Sequence, residues 1–263
     1  MIDGWLDFLP RLLGALSLVA VAIAISVWQR LHLEGNMLIA VVRAFLQLMI
    51  LGFALQWIFG LDAWLAIPFA VAVMFTAAGL TAGSRAKGIP HGGWLATAAI
   101  VVAGVLTLGV LIVLQVFPFT PRYIIPIAGM IIGNSMVVTG LVMSSLRDAL
   151  MQQRLEVETA LALGATPKQA AAGQLRRALA TGMTPIIDNT KTVGLVALPG
   201  AMTGMLIAGA EPLAAVQLQI IVMYMLVGAS AVAGLTAAYL CFRQFFSGSQ
   251  QLQIPQEADK AHQ

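Results

Sequence analysis

Residues 94–117, WLATAAIVVAGVLTLGVLIVLQVF, carry no charged side chain. The hydrocarbon core of a bilayer is about 30 Å thick and a helix rises about 1.5 Å per residue, so about 20 apolar residues cross it. Seven runs of this kind, at about 10–29, 37–59, 63–82, 94–117, 123–146, 186–208 and 213–241, are long enough to span. Unpaired backbone groups in lipid cost several kcal/mol each, which leaves the helix as the form such runs take. The two-residue alternation of a membrane β-barrel is absent. Only 10% of residues are charged and 60% are hydrophobic, against about 25% and 45–50% in soluble domains. The sequence predicts an all-α integral membrane protein with about seven transmembrane helices. The first run is expected to remain as a span, since MIDGWLDFLPRL places Asp3 and Asp7 where a cleaved signal would be basic. A single cysteine, Cys241, excludes an intramolecular disulfide and a cysteine metal cluster.

Lys and Arg then orient the chain. With seven spans, one set of loops holds Arg30, Arg85, Lys87, Arg147, Arg154, Lys168, Arg176, Arg177, Arg243 and Lys260, ten of the fourteen. The other set holds Arg11 and Arg122, while Arg43 and Lys191 lie in or beside spans. The rich side is cytoplasmic by the positive-inside rule, which predicts N-terminus out and C-terminus in, in a plasma (bacterial inner) membrane. The net charge of +3 therefore reports topology and gives no reason to invoke nucleic acid.

That orientation leaves about 147–181 in the cytoplasm between spans five and six. Helix-forming residues run from Arg147 to Leu163 and stop at Gly164, which suits the left-handed position after a helix. Thr166 is a candidate N-cap, Pro167 fits the first helical position, and Gln169 follows the cap by three residues as in a capping box. The segment encodes helix, tight turn and helix. Two readings of it stand: an interfacial pair with Arg176 and Arg177 on anionic lipid, or a docking element whose small residues admit another protein.

The stretch Glu158-Thr159-Ala160 followed by Gly164 resembles the EAA-x3-G coupling loop by which ABC-transporter permeases seat on their ATPase. IPIAGMIIGNSMVVTGL (125–141), SLRDALMQQRLEVETALALGATPKQA (145–170), TPIIDNTKTVGLVALPGAMTGMLIAGAEP (184–212) and RAFLQLMILGFALQWIF (43–59) together resemble the FetB (YbbM) family of ABC permeases. The resemblance implies a homodimeric permease for iron or other metal-related export, with a separate cytoplasmic ATPase and with Glu158, Ala160, Gly164, Ala165, Thr166, Pro167 and Lys168 at the coupling turn. ATP and Mg are then expected on the partner, and no cofactor on this chain. The residues agree with that division of labour, since the one Lys-Thr pair, Lys191-Thr192, has Thr190 and Pro185 where a P-loop needs glycines. No catalytic triad or carboxylate pair stands out, and His32, His91 and His262 fall in separate segments. The chain is not expected to be an enzyme.

Polar groups inside apolar spans are costly and mark a path or a partner. Arg43 and Gln47 share a face of span two, where Arg43 either snorkels to the headgroups or lines the path. Asn134 and Ser135 sit mid-way along span five, as interhelical glue or in the path. Asp188, Asn189 and Lys191 open span six, as an interfacial charge pair or a cytoplasmic gate that also engages Arg43. Gly129-x3-Gly133 and Gly200-x3-Gly204 predict close helix packing, and Pro126 and Pro199-Gly200 predict interruptions. Many of the thirteen methionines fall in spans five and six, as adaptable packing or as soft ligands. The permease domain is expected over 1–246, with a disordered polar tail over 247–263. The functional alternatives are a permease for an organic solute such as a nucleotide sugar, and a membrane scaffold that only recruits a protein.

Overall fold

A computed structural model describes residues 2–58, 60, 62–86 and 88–253, with side chains in the first helix from Pro10 onward. Ten helices are present among them: α1 (Ile2–Trp28), α2 (Glu34–Ile58), α3 (Ala63–Arg85), α4 (Gly92–Val113), α5 (Pro121–Gln152), α6 (Arg154–Ala162), α7 (Pro167–Ala170), α8 (Ala172–Thr192), α9 (Gly200–Ile207) and α10 (Pro212–Gln244). The chain divides into two units, Met1–Leu61 and Asp62–Gln263.

The first unit is a helical hairpin of α1 and α2. Its turn is clipped by Ser26, which is 1% exposed. The Ser26 hydroxyl donates to Glu34 Oε2 at 3.1 Å and accepts from the Leu33 amide at 3.2 Å. Both helices expose leucine, isoleucine and valine along their length, as suits a lipid-facing pair.

In the second unit α5 is central, packing against α3, α4, α8 and α10. Its buried face includes Ile124, Ile131, Val142, Met143, Leu146 and Leu150, each at most 2% exposed. Helix α10, which packs on it, buries a row of small residues, Ala229, Ala233, Ala237 and Cys241, all 0% exposed. Small residues let helix backbones approach in lipid, where dispersion rather than the hydrophobic effect holds helices together. The same device joins α3 to α4: a Cβ on Gly83 would stand 2.6 Å from Gly93 Cα, and one on Gly79 would overlap Thr97. Exposed Trp28, Trp57, Trp64 and Trp94 sit at helix ends, where indoles favour the membrane interface.

Six helical segments are long and apolar enough to span: Pro10–Trp28, Glu34–Ile58, Ala63–Arg85, Gly92–Val113, Pro121–Gln152 and Pro212–Gln244. The expected sixth span, 186–208, differs. Helix α8 ends at Thr192, residues 193–199 leave the helix, and α9 adds eight residues. The local cause is Gly194, at φ +81°, whose amide turns to the Ala197 carbonyl at 3.0 Å instead of continuing the ladder. Upstream, α8 starts at Ala172, so within the segment expected in water the residues between α6 and α8 hold only the short helix α7 and its turns.

The expected close approaches at Gly129, Gly133, Gly200 and Gly204 are not made by the chain's own helices. A Cβ at Gly133, Gly200 or Gly204 meets nothing within 4 Å, and one at Gly129 only Met74 at 3.8 Å. Pro126 sits inside the uninterrupted α5, so the interruption falls at 193–199 and not there. Residues 247–253 turn back on α10: the Gln253 amide donates to Phe245 O at 2.7 Å and the Ser247 amide to Gln251 O at 2.9 Å. The remainder of the expected tail, with Lys260 and His262, lies outside the described residues, as does Lys87.

A Cβ on Gly182 would overlap Val142 of α5 and stand 3.3 Å from the Val138 carbonyl. Gly182→Ala is expected to cost about 1–3 kcal/mol by overpacking, read as a lowered thermal midpoint in detergent. Gly133→Ala, with open space around it, should leave that midpoint in place.

Candidate functional site

Two features carry chemistry, a turn between α6 and α7 and a cavity beside the interrupted helix. At the turn, α6 ends in a paired set of hydrogen bonds: Gly164 N donates to Leu161 O at 3.0 Å and Ala165 N to Ala160 O at 3.0 Å. This is the Schellman closure, and Gly164 takes the left-handed φ of +90° it requires. Two residues on, Thr166 caps α7. The Gln169 amide donates to Thr166 Oγ1 at 3.4 Å, and the Thr166 amide donates to Gln169 Oε1 at 2.9 Å, with Pro167 in the first turn. Both closures are local, so the turn keeps its shape without help from neighbours. Glu158 pairs with Arg154 at 2.7 Å on the exposed face of α6, a pair worth a few tenths of a kcal/mol. Leu155 and Leu163 are 78% and 84% exposed around the turn.

The turn is anchored from below by a bond that sequence reading missed. Gln174 of α8, 2% exposed, donates through Nε2 to Gln153 Oε1 at 3.1 Å, tying the α5–α6 junction to α8. A groove of about 520 Å³ runs between Glu158, Leu161 and Ala165 on one side and Gln250 and Leu252 on the other, so the C-terminal turn lies beside the α6–α7 turn.

The cavity, about 470 Å³, lies where α5, α8, α10 and the 193–199 break meet. Asn134 and Asn189, expected in the path, both line it, together with Gly200 from α9. Asn134 Nδ2 donates to Met130 O at 2.9 Å within its own helix. Met130 and Met223 add thioethers. Gln219 of α10 was not singled out from sequence, although one carboxamide inside an apolar span is the same signal that marked Asn134. It lines the cavity at 6% exposure, and its Oε1 is buried without a hydrogen-bond partner.

Other expected path residues go elsewhere. Ser135 points into the core at 0% exposure, its hydroxyl without a partner. Asp188 and Lys191 form a 3.7 Å ion pair with both side chains more than 60% exposed, outside the cavity lining; at that exposure the pair contributes little to stability. Arg43 and Gln47 are exposed on α2, in the first unit. Among the described residues, no group of three or more His, Cys, Asp or Glu could hold a metal ion.

Residues 9–246 match the Uncharacterised protein family (UPF0014). The chain belongs to this family. It is 53% identical to the UPF0014 membrane protein STAR2 of Oryza sativa subsp. japonica, over 94% of this chain and 88% of that one. It is 51% identical to Protein ALUMINUM SENSITIVE 3 of Arabidopsis thaliana, over 91% and 88% respectively. It is 40% identical to the "Probable iron export permease protein FetB" of Escherichia coli (strain K12), over 92% and 93%. The expected resemblance to FetB is thereby established across most of the chain. No solved structure matches.

The turn makes a direct prediction. Thr166→Ala removes the cap, at about 1 kcal/mol, and Gly164→Ala forces an alanine into the left-handed region at about the same cost. Either change should speed amide hydrogen exchange over residues 159–171 by about fivefold, leaving exchange in α5 and α10 unaltered.

Proposed function

We propose that this UPF0014 chain is the membrane-spanning permease subunit of an ABC transporter, working as a homodimer with a separate cytoplasmic ATPase. The observation that carries the reading is the α6–α7 turn. It is a self-closed, solvent-exposed helix–turn–helix at the residues that resemble the coupling motif, flanked by exposed Leu155 and Leu163. Glu158, Ala160 and Gly164 to Lys168 would face the ATPase. Such a turn transmits a push as a unit.

Topology supports the same reading. The C-terminal turn shares a groove with the α6–α7 turn, which supports an α10 that ends on the coupling side of the membrane and begins on the other. On that reading the chain crosses once more between Ala172 and Glu211, with α8 and α9 as a seventh, broken crossing. Such a count would agree with the expected N-terminus out and C-terminus in. A polar face on α8, with exposed Thr181, Thr184 and Asp188, is poorly suited to lipid and supports a second copy across a hydrated path.

For the cargo, the relatives named for iron export and aluminium sensitivity favour metal-related export. The cavity favours the second reading, a small organic solute, because its lining offers carboxamides and thioethers and no carboxylate or imidazole. The scaffold reading gains nothing from such a cavity.

The test is ATP turnover by the ATPase co-reconstituted with this chain in lipid. Gly164→Asp puts charge and a strained side chain at the docking turn, and should reduce permease-dependent stimulation at least tenfold while the protein still inserts as a folded dimer. Undiminished stimulation in that variant would sink docking at this turn.

A further inference from the structure

One face of α8 stays bare although the helix packs on α5. Arg177, Thr181, Thr184, Asp188 and Lys191, all exposed, follow one another at intervals of four, three, four and three residues. That spacing lays them in a single stripe with the repeat of helices that pack side by side. The stripe runs at membrane depth. On the other side of α8, a Cβ at Gly182 would meet Val138 and Val142 of α5, and Ile186 and Asn189 share the cavity with Met130 and Asn134. Asp188 therefore lies level with the middle of the apolar run of α5, and Lys191 less than one turn beyond. There the two pair at 3.7 Å with their side chains 62% and 70% exposed. Charges at that depth are costly against acyl chains and are kept where they meet protein or a water-filled path.

The cavity opens on the same side. Its wall from α10, including Gln219, Val222 and Leu226, is at most 8% exposed, whereas Asn189, Ala197 and Gly200, on α8, the break and α9, form an exposed rim. A second groove, about 460 Å³ and lined by Ser144, Ser145, Asp148, Arg177 and Thr181, follows the stripe towards the α5–α6 junction. The stripe is also complementary to itself. A two-fold contact brings residue i of one copy to residue j of the other and j to i, and Asp188 and Lys191 supply opposite charges at such a pair of positions.

We propose that α8 of one copy faces α8 of a second about a two-fold axis along the membrane normal, with each Asp188 reaching the partner's Lys191. The cavities and grooves of the two copies then open onto one shared path, which the four charged groups span at mid-membrane. A second copy answers both charges of the stripe, and acyl chains answer neither. That the path carries cargo rests on the permease reading, whereas the contact does not.

The experiment co-expresses the full-length chain under two different tags, captures one tag from mild detergent and measures the other. Asp188→Lys leaves the stripe with two lysines there, and Lys191→Asp leaves it with two aspartates. Each variant is expected to pair with itself about tenfold less than the wild type, because like charges now meet across the axis. The two variants expressed together should pair with one another as the wild type does. The ion pair within one copy is lost in both, so it cannot produce that rescue. An uncharged probe is Thr184→Cys, on the same stripe, which should link two copies on oxidation in native membranes. Leu235→Cys, at a position 60% exposed on α10, should not; Cys241 is buried and stays in place.

Mixed variants that pair no better than either variant alone, or linkage through Leu235→Cys and not through Thr184→Cys, would overturn the proposal. So would copies that stay single and unlinked at Thr184→Cys, a result that leaves the stripe to lipid or to the chain's own α1–α2 hairpin. Copies that pair here while the partner ATPase gains no activity from them would count against the permease reading alone. ATP turnover that Gly164→Asp abolishes, in a protein whose copies never link at α8, would count against this contact alone.

Discussion

Everything in this chain follows from the absence of water in the bilayer core, which obliges each backbone amide and carbonyl there to find its partner inside the protein. Long uninterrupted helices satisfy that demand within themselves, which is why α3, α4, α5 and α10 can be lined with methyl groups on one side and expose leucines on the other. The 193–199 segment leaves that ladder, with the Gly194 amide bonded to Ala197 O, and Gly200 and Ala201 at the start of α9 line the cavity. Irregular backbone is tolerated at membrane depth where it borders a cavity, and Val193, Ala197 and Pro199 line one.

The sequence was most legible where a single local rule governs. Continuous apolar runs located the six long spanning segments, and the pattern Gly164, Thr166, Pro167, Gln169 announced the Schellman turn and capping box that the structure contains. These signals depend on a few consecutive residues and on geometry that does not change with context.

Legibility failed where the outcome is set by what lies across the interface. Helix α8 mixes exposed Thr181 and Asp188 with Ala178, Gly182 and Ile186, and the second set is the buried one. A hydropathy window averages the two faces, so its apolar half pulled the expected span toward 186–208 and its polar half toward a loop. Glycine spacing misled for the same reason. Gly129-x3-Gly133 and Gly79-x3-Gly83 look alike in one dimension, yet only the second pair faces a neighbouring helix at close range. Gln153 and Gln174 are separated by a whole helix–turn–helix and nothing in their surroundings hints that they meet. Of the expected path residues, Asn134 and Asn189 converge because α5 and α8 pack along their length, and Ser135 departs because one residue along a helix is a turn of about 100°.

The alanine seam of α10 has a mechanical consequence. Ala229, Ala233 and Ala237 are fully buried, and Gly234 stands 3.2 Å by its built Cβ from the Val138 side chain of α5, so α10 and α5 pack with little room and a small tilt produces an overlap. Such a pair is stiff. The compliance of this unit is therefore concentrated in the few residues between Thr192 and Gly200, which separate two helical ladders and, apart from the Gly194–Ala197 bond, hold on to the end of α8 and the start of α9. Strain applied anywhere along α8 will be released at that joint before it deforms the bundle.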